Sequence, residues 1–174
     1  MKDSTVGLEI ERKYIIKMPN LAELELQNGY SKSDILQIYL PSSVGETHRI
    51  RRRDYGDRVV CTETRKIRID KLSSTEIEGE IDLATFDKMA SEPLAGTQPI
   101  LKTRHTFLYL SQLFEIDVYP QWQNTAIMET ELDSGDRVVE IPSFINIIRE
   151  VTGNKAYSNA GMSRAFPTEE IIDS

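Results

Sequence analysis

Charged side chains recur at every second position through much of this sequence, in rows that mostly keep one sign. Glu9 and Glu11 precede Lys13 in "EIERK". Arg49, Arg51 and Arg53 alternate in "HRIRRR", and Glu76, Glu78 and Glu80 alternate in "STEIEGEIDL". Lys102 with Arg104, Glu115 with Asp117, and Glu129 with Glu131 repeat the spacing. In an extended strand residues i and i+2 point the same way, so each row occupies one face. Carboxylate rows are hard-oxygen donors suited to a divalent cation such as Mg2+ or Mn2+. Arginine rows offer planar, bidentate contacts to phosphate. Together they describe a metal and a polyanion held side by side, the simplest polyanion being a chain of phosphates.

Strands must position these rows. The intervening positions carry Ile10, Ile50, Ile77, Ile81, Ile116, Val118, Met128 and Leu132, so nearly every strand has an ionic face and an apolar one. Period-two runs are read at 9–16, 35–40, 48–53, 58–69, 74–83, 100–110, 113–119 and 126–132. Turn signals such as "DYGD", "YPQWQN" and "DSGD" separate them. Seven or eight short antiparallel strands predict a barrel or sandwich. Helices are expected at 19–26, at 82–93 with Asp82 as N-cap, at 143–153 between Ser143 and Gly153, and at 159–166. The last eight residues, "PTEEIIDS", read as a loose acidic tail. One domain over 1–174 is expected, with its core at about 8–165.

Two arrangements fit this alternation. A one-sided sheet would turn its charges to water, the common case for charged rows. A closed sheet could instead turn them inward, around an ionic channel. Single-sign rows and the dominance of arginine favour the channel, since like charges on neighbouring strand positions repel unless an opposite charge lies among them. Such an interior needs a ligand, because buried unpaired charge is expensive.

The formal net charge of −7 gives no general attraction to nucleic acid or to acidic membranes. The single cysteine, Cys61, excludes an internal disulfide and suits a reducing compartment. Its parity, opposite to Thr62 and Thr64, predicts that it faces the apolar side. The start "MKDSTVGLE" lacks the apolar core of a signal peptide, and no apolar run approaches a membrane span, so a cytoplasmic protein is expected. His48 and His105 have no partners at metal spacing, so zinc is not expected.

"EIERK" at 9–13 resembles the signature of the CYTH superfamily, the triphosphate tunnel metalloenzymes. "RIR" at 49–51, "TRK" at 64–66, "EIE" at 76–78, "KTR" at 102–104, "EID" at 115–117 and "ETE" at 129–131 follow in that family's order. "EVTGNKAYSN" at 150–159 is similar to its C-terminal segment. The resemblance covers about residues 8–165. It implies an α+β, mainly antiparallel β fold: an eight-stranded closed barrel forming a tunnel with a charged interior and helices outside. It implies that Glu9, Glu11, Glu129 and Glu131 hold Mg2+ or Mn2+, with Asp117 as a further ligand. Glu76 and Glu78 would serve a second metal or the attacking water. Lys13, Arg49, Arg51, Lys66, Lys102 and Arg104 would cradle phosphate, with Arg53 and Lys155 added. A Tyr39–Lys102 pair would assist the water. The sequence departs from the pattern at His105, where tyrosine is usual, and in "TETRK", where parity with Thr64 selects Lys66 over Arg65.

The compact length and the "EIERKY" start look most like the short bacterial inorganic triphosphatases. Hydrolysis of inorganic triphosphate is therefore expected, with ATP cyclisation or thiamine and nucleoside triphosphate hydrolysis as alternatives. The His-Phe pair often found near the N-terminus of the cyclases is absent from "MKDSTVGLE". A polyphosphate- or nucleotide-binding module is the non-enzymatic alternative, and the intact acidic rows speak for the enzyme. The expected partners are a small triphosphate and, at most, a second copy in a homodimer.

Overall fold

The computed structural model describes residues 5–170. It contains β1 (Thr5–Lys17), α1 (Leu21–Glu25), β2 (Asn28–Leu40), β3 (Glu46–Asp54), β4 (Val59–Arg68) and β5 (Ser73–Ile81). There follow α2 (Leu83–Ala90), β6 (Ile100–Tyr109), β7 (Gln112–Val118), β8 (Thr125–Glu131), β9 (Ile147–Glu150), a 3-10 turn (Lys155–Tyr157) and α3 (Asn159–Arg164). The sheet runs β5-β4-β3-β2-β6-β7-β8-β1-β9, and β5 also pairs with β1. Eight antiparallel strands thus close into the expected barrel, and β9 is added outside the ring.

β1 makes both arrangements possible. One edge pairs with β5 over Thr5–Ile10 and, further along, with β9 over Tyr14–Ile16. The other edge pairs with β8 over Glu11–Lys17. The helix expected at 143–153 is therefore not formed, and its centre is β9. The β-branched run Ile145, Ile147, Ile148 and Val151 carries helical spacing, but the half-edge of β1 beyond β5 offers backbone partners. Lys17 N–H donates to the Asn146 carbonyl and Val151 N–H to the Lys13 carbonyl. Buried backbone groups need such partners, and this requirement overrides a weak helical pattern.

The short helices cover the apolar outside of the barrel. Asp82 accepts from Thr85 N–H at 2.7 Å and starts α2, as its sequence predicts. α2 lays Phe86 over Ile38, Leu40, Ile50 and Cys61, so the cysteine faces the apolar side as expected. α1 is capped by Asn20 rather than opened by Pro19. Its Leu24 packs on Tyr14, Ile16, Phe107, Phe114, Ile116 and Met128. Burying each such side chain contributes about 1.5–3 kcal/mol.

Toward one end of the barrel the inward positions turn apolar. Ile15 follows Lys13, Ile127 precedes Glu129, Tyr119 follows Asp117 and Ile100 precedes Lys102. These four cluster with Tyr39, Trp122, Val151, Tyr157 and Met162. The 3-10 turn and α3 form a cap on this end. A side chain at Gly161 would collide with the Lys155 carbonyl, so glycine lets α3 sit tightly on the turn. The tail is not loose over its described part. Trp122 Nε1–H donates to the Pro167 carbonyl, Glu169 accepts from Thr125 N–H, and Glu170 pairs with Arg149. Residues 171–174 lie outside the described part.

Candidate active site: a charged tunnel

Cross-strand register gathers the ionic rows on one wall. Glu11 stands opposite Glu131, and Lys13 opposite Glu129. Glu115 faces Glu129, Arg104 faces Asp117, Lys66 faces Glu76 and Thr64 faces Glu78. Inside lies a cavity of about 470 Å3. Glu9, Glu11, Glu76, Glu78, Glu129 and Glu131 line it, as do Lys13, Arg49, Arg51, Arg53, Lys66, Arg104, Lys155 and Tyr39. These are the residues selected from the sequence, with two exceptions: Lys102 and Asp117 do not line it. Arg68, Glu115, Ser158 and Asn159 line it although they were not selected.

Lys102 and Asp117 lie behind the wall, fully buried. Asp117 Oδ2 accepts from Lys102 Nζ at 2.7 Å and Arg104 Nη2 at 2.8 Å, and Oδ1 accepts from Arg104 Nε at 2.7 Å. Both its oxygens are engaged by cations, so the geometry makes Asp117 a counter-ion rather than a donor to the tunnel. Burial pushes its carboxyl up, but Arg104 and Lys102 outweigh this and hold it far below the usual carboxylate range. Burial brings Lys102 down to about 7, with Asp117 opposing and Arg104 assisting. Tyr39 and Lys102 share no hydrogen bond. The Tyr39 hydroxyl accepts from Gln37 Nε2 at 2.8 Å, and Lys102 turns to Asp117 and Asn159. Strand register keeps apart the pair that the resemblance implied, since Lys102 stands opposite Ile35, four residues along β2 from Tyr39.

The basic wall is β3. Arg51 donates through Nε and Nη2 to Gln37 Oε1 at 3.2 Å, and Arg53 donates to Ser33 Oγ at 2.7 Å. Buried Arg49 Nε has no hydrogen-bond partner. Among the described residues none of these three arginines makes an ion pair with a carboxylate. Burial, then Arg49 and Arg104, bring Arg51 down to about 10, against the pull of Glu78 and Asp117. Lys13 is occupied instead, with Glu129 at 3.0 Å and the Tyr157 carbonyl at 3.2 Å. Burial raises Glu129, but Lys13 and Arg104 bring it down to about 2.

The acidic wall shows the complementary imbalance. The carboxyls of Glu9, Glu76 and Glu131 make contacts with one another. Burial and the neighbouring Glu9 push Glu76 up to about 7, against the pull of Arg49. The hydrogen bond with Glu9, then burial, pushes Glu131 up to about 8. Lys66 Nζ stands among Glu9 at 2.8 Å, Glu11 at 3.9 Å and Glu76 at 4.0 Å. Among the described residues buried Glu76 Oε2 has no hydrogen-bond partner, and no three His, Cys, Asp or Glu side chains converge at ligand spacing. Glu76 and Glu131 are pushed up while Glu9 is held far below the usual carboxylate range. What the wall supplies toward a divalent cation is the chemistry of its donors, which are hard carboxylate oxygens.

His48 and His105 stand away from the tunnel. His48 Nε2 meets Glu63 at 2.7 Å, and His105 Nδ1 meets the Tyr30 hydroxyl at 2.9 Å. No helix of the described residues is long and apolar enough to cross a membrane.

No family model matches the chain, and no curated protein matches its sequence. Solved structures do. The chain is similar to the inorganic triphosphatase NE1496 at TM-score 0.58 and 24% identity, covering 91% of this chain and 96% of that one. It is similar to the PH1819 protein from Pyrococcus horikoshii at TM-score 0.56 and 19% identity, covering 74% and 80%. HpAC1 from Hippeastrum, described as revealing a dominant triphosphatase activity, matches at TM-score 0.52 and 13% identity, covering 72% and 80%. At these identities the likeness is one of fold. The chain has the closed tunnel barrel that its resemblance to the triphosphate tunnel metalloenzymes implied.

Proposed function

We propose that this chain is a triphosphate tunnel metalloenzyme that hydrolyses inorganic triphosphate to diphosphate and phosphate. The composition of the tunnel wall supports this reading. Among the described residues its one aromatic is Tyr39, whose hydroxyl is held by Gln37, and the rest of the wall is mostly charged. What it offers is charge: the β3 arginines, which make no ion pair with a carboxylate among the described residues, and a row of carboxylates that share Lys66 and Lys13.

Arg49, Arg51, Arg53 and Arg104 would bind the phosphate oxygens, with Lys155 adding charge at the cap. Glu9, Glu11, Glu129 and Glu131 would hold the Mg2+ or Mn2+. Bound there, the ion supplies Lewis-acid neutralisation of the triphosphate and acidifies water. Water oxygen attacks the terminal phosphorus, and the bond to the bridging oxygen breaks. The diphosphate leaves with its negative charge stabilised by the arginines. Glu76, with an unengaged oxygen and an elevated pKa, accepts the water proton, while Glu78 is steadied by Thr64 Oγ1 at 2.8 Å.

Phosphate release from inorganic triphosphate, ATP and thiamine triphosphate, each with Mg2+ or Mn2+, tests the reading, with cyclic AMP followed in parallel. Release from inorganic triphosphate alone, abolished by Glu129→Gln, is expected. Cyclic AMP from ATP would place the chain with the cyclases instead. Tight binding without turnover would leave a phosphate-binding module.

A further inference from the structure

Asn159, the first residue of α3, lines the tunnel from the cap. Its side-chain oxygen accepts from the Tyr119 hydroxyl at 3.1 Å and from Lys102 Nζ at 3.4 Å. An ammonium can only donate, so the oxygen of the amide, not its nitrogen, must face Lys102. That choice aims the Nδ2 amino group away from Lys102 and Tyr119. Among the described residues Nδ2 donates to no protein acceptor, although every other polar contact of the side chain is made. Lys102 is itself pinned by fully buried Asp117, so the anchor that orients the amide is rigid.

We propose that Asn159 is a substrate-binding residue whose Nδ2 donates to a phosphate oxygen lying against the cap. The inference rests on the triphosphatase reading and deepens it. The β3 arginines recognise phosphate as charge, whereas a neutral amide on a fixed anchor recognises an oxygen at one position. Because Asn159 sits on the cap, that position belongs to the end of the polyphosphate lying nearest α3. An oriented donor there favours a chain that reaches the cap over a free monophosphate held by the arginines alone.

Isothermal titration of the 174-residue chain with inorganic triphosphate, first in EDTA and then with Mg2+, tests this. Asn159→Asp and Asn159→Ala are the variants, and melting without ligand checks that each folds. Asn159→Asp keeps an acceptor for Lys102 and Tyr119 but replaces the donor with a charge that repels any phosphate at the cap. Asn159→Ala removes the donor without adding charge, so the loss must appear in both variants. The expected result is a loss of triphosphate affinity of about 10- to 100-fold in both variants, as for a hydrogen bond to a charged group. Monophosphate affinity is expected to change by less than the triphosphate affinity. Wild-type triphosphate affinity in either variant overturns the inference while leaving the triphosphatase reading in place. No measurable triphosphate binding by the wild type, with or without Mg2+, removes the functional reading and this inference with it.

Discussion

Replacing Asp117 by asparagine tests the buried network behind the tunnel wall. Asp117 is fully buried, and its two oxygens carry three short hydrogen bonds from two cations. Asparagine keeps the size but removes the charge. Arg104 retains Glu115 at 2.8 Å, whereas Lys102 is left with the neutral Asn159 as its remaining partner. Breaking a buried pair by removing one partner costs about 3–5 kcal/mol, because a charge is stranded in low dielectric. At about 2–4 °C per kcal/mol for a chain of this size, the melting temperature should fall by about 6–20 °C. Thermal and urea denaturation in EDTA would read the change without any bound ion. Lys102→Met in the same background should recover part of the loss, since it removes the stranded charge. A double-mutant cycle then yields a coupling of about 1 kcal/mol or more. Asp117→Asn within about 1 kcal/mol of wild type, or no recovery in the double variant, would refute the reasoning.

Other outcomes follow from the same geometry. Triphosphate with Mg2+ at 100 times its dissociation constant should stabilise the fold by about 2.7 kcal/mol, and an unshifted melting curve would count against the whole site. Asp82→Ala removes the cap of α2 and should cost about 1 kcal/mol in denaturant titrations without affecting turnover. Burial, then Lys32, lowers the pKa of His105. The unfolded chain takes up a proton near pH 6.5 that the folded chain resists. Stability should therefore fall as the pH drops from about 6.5 toward the lowered folded value, and His105→Gln should remove that part of the pH profile.

Much of the site was legible because strand parity is a local property. Parity put Glu9, Glu11, Arg49, Arg51, Glu129 and Glu131 on the ionic faces of their strands, and all six line the tunnel. Closure was not legible from parity. It rests on Thr5–Ile10 of β1 meeting β5, a pairing that no single strand announces. Asp117 shares its parity with Glu115, yet neighbouring strands give it two cations and take it out of the cavity. β9 read as a helix because its isoleucines suit either period, and the half-open edge of β1 decided between them. Asn159 was visible in "YSN", but nothing in the sequence tells which residue its amide will face.

The way β1 is shared among three partners bears on how the protein is made. β1 is made before every other described strand, and its partners lie at 73–81, 125–131 and 147–150. At synthesis rates of about 5–20 residues per second, the delay before β8 follows is on the order of ten seconds. Until then Tyr14 and Ile16 lack Ala126 and Met128 of their cluster, and Glu11 lacks Glu131 opposite it. Pairings so distant in sequence also slow folding, because the loop must close before any contact forms. A nascent chain that stalls before β8 would thus carry most of the tunnel's acidic side chains and no closed barrel. Its need for a chaperone should end only when β8 and then β9 reach the first strand.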